Sequence, residues 1–95
     1  MSGYYVLQIQ WSSEDAKRTY VDKLGSMIEK NGGAFIVASK EYQVAEGSWR
    51  DGSFIIIKFP TMEALRAWYD SPEYRPVREF RLAHSRSDAV IVEGD

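Results

Sequence analysis

The sequence predicts an α+β domain of the ferredoxin-like type, with the element order β-α-β-β-α-β over residues 1–95. Three observations predict it: an alternating apolar run near the N-terminus, a long amphipathic helical stretch after it, and further strand and helix signals in the C-terminal half. Right-handed crossovers place both helical segments on one face of a four-stranded antiparallel sheet. A length of 95 residues allows a single domain.

The first strand is predicted over residues 4–11, because large apolar side chains at positions 5, 7, 9 and 11 share one face. Ser12 or Ser13 then provides a cap, and a helical apolar stripe predicts a helix from about 13 to 31. Lys30 in its last turn and Gly32-Gly33 directly after it are typical of a helix C-terminus.

The remaining elements follow from strand-like runs separated by turn and cap residues. A second strand is predicted over 34–39 and continues in bent form through 42–44, followed by a turn at 47–52 and a third strand over 53–59. A short helix capped by Thr61 comes next, and then a helix with Ser71 as cap and Pro72 at its first position. The last strand is predicted over 88–92.

The third strand indicates that both faces of the sheet are covered. Ile55 and Ile57 point to one face, whereas Phe54 and Ile56 point to the other, and residues 90–92 repeat the pattern. A solvated antiparallel face normally alternates with polar residues. We therefore expect a homodimer in which two copies pack sheet against sheet.

Composition excludes several classes of function. With no cysteine and one histidine, the chain lacks a thiol nucleophile and a multi-histidine metal site, so we expect no metal, flavin or haem. A net charge of −2 argues against a nucleic-acid partner. Apolar runs such as residues 54–57 are far shorter than a membrane span of about 20 residues, so a cytoplasmic protein is expected.

A set of glycines, aromatic residues and charged residues carries a family resemblance. Its members are Gly32-Gly33, Glu46-Gly47, Trp49, Phe59-Pro60, Ala64, Trp68-Tyr69, Ser71, Tyr74, Arg81 and Glu93-Gly94. The set resembles a family of small bacterial proteins known only as a domain of unknown function, within the dimeric α/β-barrel superfamily. The resemblance implies a ferredoxin-like subunit and a dimer whose two sheets form a barrel. Superfamily relatives include cofactor-free monooxygenases, but no catalytic motif of theirs is found in this sequence.

Arg81 is the most informative candidate site residue, because it lies beside the inward stripe of Tyr74, Val77 and Phe80. A charge on a core-facing surface needs a partner. One interpretation is an internal partner, such as Glu46, Glu93 or a backbone carbonyl. The other is an anionic ligand, a carboxylate or phenolate, for which Arg81 would act as anchor.

The other candidate ligand-binding residues each have a structural alternative. Lys17 lies in the apolar stripe of the first helix, where its stem could simply cover the surface. Trp49, beside Glu46, could pack across a dimer seam or over a ligand. Tyr74 faces inward, and His84, the only histidine, could act as an acid or base or remain exposed and idle.

Three hypotheses of function follow, and the sequence does not choose between them. The first is a dimeric protein that binds a small anionic or aromatic metabolite in a pocket between sheet and helices. The second is a cofactor-independent enzyme, monooxygenase- or isomerase-like, acting on aromatic or unsaturated acids. The third is a dimeric interaction protein without a ligand.

Overall fold

The computed structural model describes all residues, Met1–Asp95, and has the predicted ferredoxin-like architecture. The four strands form one antiparallel sheet in the order β2-β3-β1-β4. The elements are β1 (Ser2–Trp11), α1 (Glu14–Lys30), β2 (Ala34–Ser39), β3 (Ser53–Phe59), α2 (Met62–Tyr69), α3 (Tyr74–His84) and β4 (Ser85–Gly94). None of the helices is long and apolar enough to cross a membrane.

Strand β1 lies in the middle of the sheet and fixes its register. It pairs with β3 from Gly3↔Phe59 to Ile9↔Ser53, and with β4 along its whole length. β4 begins at Ser85, three residues before the predicted start, because the polar residues 85–87 continue the backbone ladder with β1. That extension places Ser87 beside the end of α3.

The first helix begins where its capping residue predicts, and the last helix begins later. The hydroxyl of Ser13 accepts from the backbone N–H of Ala16 at 3.1 Å, and α1 ends before Gly32, whose φ is 81°. The hydroxyl of Ser71 accepts from the N–H of Tyr74 at 3.1 Å, but the residue at the N-cap position of the last helix is Glu73 and not the predicted Ser71. α3 itself starts at Tyr74, two residues after Pro72.

The predicted continuation of β2 through residues 42–44 is wrong. β2 ends at Ser39, and residues 40–52 form a loop that crosses the open face of the sheet, opposite the helices. There Tyr42 and Trp49 pack against Phe54, and the carbonyl of Arg50 accepts from Gln8 Nε2 at 2.6 Å. The alternating side chains of the loop therefore contact the sheet face, and its backbone does not extend the ladder.

The two faces of the sheet differ as expected. The helix side holds a closed core that includes Leu7, Ile57 and Leu24, each 0% exposed. On the open face, Val90 and Val92 remain 60% and 49% exposed in the single chain, and Ile56, on the other side of Val6 from Val90, is half-buried. The predicted two-sided apolar pattern is therefore present, and on the open face the 40–52 loop packs on Phe54 but leaves Val90 and Val92 exposed.

Candidate functional site

Arg81 lies inside the core between sheet and helices, as its position beside Tyr74 and Val77 predicts. Its side chain is only 2% exposed. Its guanidinium donates from Nη1 to Ser87 Oγ at 2.5 Å and from Nη2 to the hydroxyl of Tyr5 at 3.2 Å. Helix α3 therefore directs a cation towards the middle strand of the sheet.

The predicted ion pair of Arg81 with Glu46 or Glu93 is wrong. Glu46 lies exposed in the 40–52 loop, Glu93 lies exposed on β4, and no carboxylate forms a salt bridge with Arg81. The hydroxyls of Tyr5 and Ser87 occupy its hydrogen-bonding positions instead. Arg81 is thus a buried cation whose observed partners are neutral.

Three tyrosines surround this cation. The hydroxyl of Tyr74 is 2.7 Å from that of Tyr20 and 3.4 Å from that of Tyr5. Burial raises the pKa of Tyr20 to about 12 and raises the pKa of Tyr5 and Tyr74 well above the ordinary value. Burial acts to lower the pKa of Arg81, but the facing tyrosine oxygens raise it overall. At neutral pH the phenols are therefore uncharged and Arg81 keeps its charge.

Two buried N–H donors beside these tyrosines have no acceptor in the protein: Arg81 Nε and Trp68 Nε1. Trp68, 1% exposed, packs edge-on against Tyr5 with ring centroids 5.4 Å apart, and against Tyr74 at 4.1 Å. We name Tyr5, Tyr20, Trp68, Tyr74 and Arg81 the core cluster. Its free donors and its single charge suit an oxyanion.

A cleft of about 1110 Å³ lies at one end of the sheet, between β1, the start of α1 and the 40–52 loop. We name it the loop cleft. Its aromatic and charged lining residues are Trp11, Tyr42, Trp49, Glu14, Lys17, Lys40, Glu41 and Asp51. Trp11 is half-buried, and its ring lies 5.3 Å from that of Tyr20. Trp11 therefore separates the loop cleft from the core cluster.

The structure divides the predicted site residues into separate groups. Arg81 and Tyr74 belong to the core cluster, whereas Lys17 and Trp49 line the loop cleft. Glu46 lines a smaller pocket of about 400 Å³ next to Trp49. The structure contains no group of three or more histidine, cysteine or acidic residues that could hold a metal ion.

His84 lies apart from all of these sites. It is exposed at the end of α3, where its Nδ1 is 2.9 Å from the carbonyl oxygen of Phe80 and the two rings stack at 4.2 Å. It lines neither the loop cleft nor the core cluster.

Three members of the core cluster were missed by the sequence reasoning: Tyr5, Tyr20 and Trp68. Their spacing in the sequence places all three rings on inward faces, which is typical of apolar core residues. A signal was available, because each carries a polar atom that must find a partner when the ring is buried. Several such residues on faces that converge indicate a polar cluster inside the core.

Solved structures of other proteins share this fold. A protein of unknown function from Rhodopseudomonas palustris is 16% identical, with a TM-score of 0.77 over 98% of this chain and 82% of that one. A dimeric ferredoxin-like protein of unknown function from Jannaschia is 16% identical, with a TM-score of 0.78 over 99% of this chain and 100% of that one. SnoaB, a cofactor-independent oxygenase from Streptomyces nogalater, is 14% identical, with a TM-score of 0.69 over 99% of this chain and 93% of that one. At these identities the likeness establishes the fold alone.

No curated protein matches the chain. A family model described as a domain of unknown function (DUF1330) matches residues 2–95. Since that match covers nearly the whole sequence, the protein belongs to the DUF1330 family.

Proposed function

We propose that the protein binds a small anionic, aromatic metabolite between its sheet and helices, with Arg81 as the anchor for the anion. The observation that carries this proposal is a cation, 2% exposed, with no carboxylate partner. An isolated ion costs several kcal/mol to bury. A bound anion offsets that cost, and a guanidinium holds a carboxylate more firmly than it holds neutral hydroxyls.

The loop cleft supports an aromatic ligand and a route to the anchor. Trp11 and Trp49 supply flat apolar surface, and Lys17 adds a cation at the start of α1. The volume of about 1110 Å³ is close to the upper end of small-molecule sites, which span roughly 300–1000 Å³. In this proposal the acid group passes Trp11 and reaches Arg81, while the rest of the ligand stays in the loop cleft.

We also propose that the protein works as a homodimer. The open face of the sheet exposes Val90 and Val92 on β4, with half-buried Ile56 across β1 from them, and a second copy of the same face is complementary to it. Two similarly folded proteins, from Jannaschia and from Thermobifida fusca, are described as dimeric. The core cluster lies on the other side of the sheet, so each copy would carry its own anchor.

To test ligand binding, the purified protein is titrated with benzoate and larger aromatic acids, and binding is measured by calorimetry and by the shift in thermal unfolding temperature. Arg81→Lys keeps the charge but loses the planar guanidinium, so we expect it to fold and to bind the acid at least about 10-fold more weakly. Arg75→Lys is the matched control, because Arg75 is exposed on the same helix. Equal binding by native protein and Arg81→Lys would contradict the proposal.

The alternative is a cofactor-independent enzyme acting on aromatic or unsaturated acids. The likeness in fold to the oxygenase SnoaB supports it. Binding is favoured over catalysis because the acid–base candidates Glu46 and His84 lie outside both the core cluster and the loop cleft. Turnover of a dihydroxyaromatic acid, with oxygen uptake that Arg81→Lys abolishes, would reverse this preference.

A further inference from the structure

We infer that the acid group of the ligand is a single planar carboxylate, held by Trp68 of α2 together with Arg81 of α3. The inference rests on the proposed function and adds to it a second recognition residue and a class of ligand. In the sequence Trp68 belongs to the set that carries the family resemblance, but it was not among the candidate ligand-binding residues.

The first argument is the supply of donors. Arg81 donates from Nη1 to Ser87 and from Nη2 to Tyr5, whereas its buried Nε has no acceptor at all. Trp68 contributes a second free N–H and is 1% exposed. A buried donor without an acceptor costs about 1–3 kcal/mol. Two of them in one cluster therefore favour any ligand that accepts from both.

The second argument is their common neighbours. The hydroxyl of Tyr5 accepts from Arg81, and its ring packs edge-on against Trp68 at 5.4 Å. Tyr74 packs against Trp68 at 4.1 Å, and its hydroxyl contacts that of Tyr5. Both free donors thus border the same pair of tyrosines, on the side of the sheet that the helices cover.

The third argument is charge and shape. A carboxylate has two oxygens in one plane, so one can accept from Arg81 Nε and the other from Trp68 Nε1. Its single negative charge balances the single buried cation. A phosphonate or phosphate brings a third oxygen and a second charge into a site that has one cation, and a neutral amide leaves the cation unbalanced. The cluster therefore selects a monocarboxylate.

Access to the carboxylate site requires a side chain to move. Tyr20 and Tyr74 are 0% exposed, and half-buried Trp11 closes the cluster on the side of the loop cleft. No residue of the core cluster lines the loop cleft, so the inference requires Trp11 to rotate and open a path between the two. A small, flat acid needs the least movement, and benzoate is accordingly the probe of choice.

The experiment compares benzoate, benzamide and phenylphosphonate by calorimetry on native protein, Trp68→Phe and Arg81→Lys. We expect native protein to bind benzoate at least about 10-fold more tightly than the other two probes. Trp68→Phe keeps an aromatic ring but loses the N–H. The affinity for benzoate should therefore fall about 10-fold or more, as expected for the loss of a hydrogen bond to a charged group. Tyr69→Phe is the control for removing one polar atom from an aromatic side chain of α2, because Tyr69 belongs to neither the core cluster nor the loop cleft.

A second measurement, made on native protein, tests the inference even if the Trp68→Phe variant fails to fold. The chain has three tryptophans, so its nitrogen–proton spectrum has three indole signals, which Trp11→Phe and Trp49→Phe assign by elimination. In native protein, benzoate should move the Trp68 indole signal downfield as that N–H gains an acceptor. An indole signal that stays in place at saturation would overturn the inference.

The outcomes separate the inference from the proposed function. If Arg81→Lys loses benzoate but Trp68→Phe binds it as tightly as native protein, the inference fails and the anchor role of Arg81 stands. Equal binding of phenylphosphonate or benzamide also overturns the choice of carboxylate. If Arg81→Lys binds benzoate like native protein, or no aromatic acid binds at all, both fail.

Discussion

At the scale of single residues, the central feature is a cation buried among neutral hydroxyls. Arg81 is held by Ser87 and Tyr5, and the three phenols around it remain protonated at neutral pH. A buried ion pair leaves an unbalanced charge when one partner is removed. Arg81 has no such partner, so its replacement leaves no unbalanced charge behind and affects stability through the desolvation cost of the cation, the side-chain volume and the hydrogen bonds.

Replacing Arg81 with methionine should therefore leave the free energy of unfolding unchanged or higher, because the buried charge is lost while most of the volume stays. Arg81→Ala should lower it by about 2–5 kcal/mol, because a cavity forms in the packed core. Urea unfolding of the two variants measures both values. A methionine variant as unstable as the alanine variant would show that the charge itself stabilises the fold.

The buried phenols predict an alkaline transition. Since the pKa values of Tyr5, Tyr20 and Tyr74 are raised in the folded state, the folded protein binds more protons than the unfolded chain above about pH 10. Their contribution to stability is complete below that pH and is lost as the pH rises towards 12 and beyond. Phenolate absorbance and circular dichroism, recorded together, should show three of the six tyrosines ionising only on unfolding.

Tyr20→Phe is the control for this titration, because it removes one phenol from the late phase and leaves the ring in place. Ionisation of all six tyrosines near pH 10, with unchanged circular dichroism, would contradict the packing described for the core cluster.

At the scale of elements, the path of the 40–52 loop depends on a close backbone approach to β1 at Gly52, directly before β3. Gly52 has φ 127°, and a Cβ there would lie 2.5 Å from the carbonyl oxygen of Ile9. The loop can therefore lie against β1 only with a glycine at this position. Gln8, 8% exposed, depends on that path for its bond to the carbonyl of Arg50.

Gly52→Ala should lower the free energy of unfolding by about 3 kcal/mol or more, since it combines backbone strain with a clash against backbone atoms. Gly47→Ala is the matched control: its φ is also positive, at 73°, but its Cβ would meet open space. We expect a loss of about 1–2 kcal/mol there. Equal effects of the two substitutions in thermal and urea unfolding would show that the loop does not need its contact with β1.

At the scale of the whole molecule, the sheet has one face packed against helices and one that exposes apolar side chains. The proposed dimer covers that open face and places the helices of the two copies on the outside.

Val90→Asp should convert the dimer to a monomer at micromolar concentration, because it places a charge on the apolar face that the proposed interface buries. Leu82→Asp is the control: Leu82 is 55% exposed, close to the 60% of Val90, but lies on α3. Light scattering of the native chain and both variants measures the effect. A native protein that scatters as a monomer would contradict the dimer.

The sequence alone determined the order of elements, the faces of the strands and the ends of α1. These depend on periodicity and on contacts within a few residues, such as Ser13 with Ala16. It also placed Arg81 on the inward face of its helix, because the apolar stripe around it is local.

Only the tertiary structure decided what Arg81 meets. Its bond to Tyr5 joins residues 76 positions apart, and the hydroxyl pair of Tyr20 and Tyr74 joins residues 54 apart. The path of the 40–52 loop was likewise decided by its contacts with the sheet and not by its alternating pattern. Partners at such separations are chosen by how helices and strands pack, and single-chain patterns carry no record of that choice.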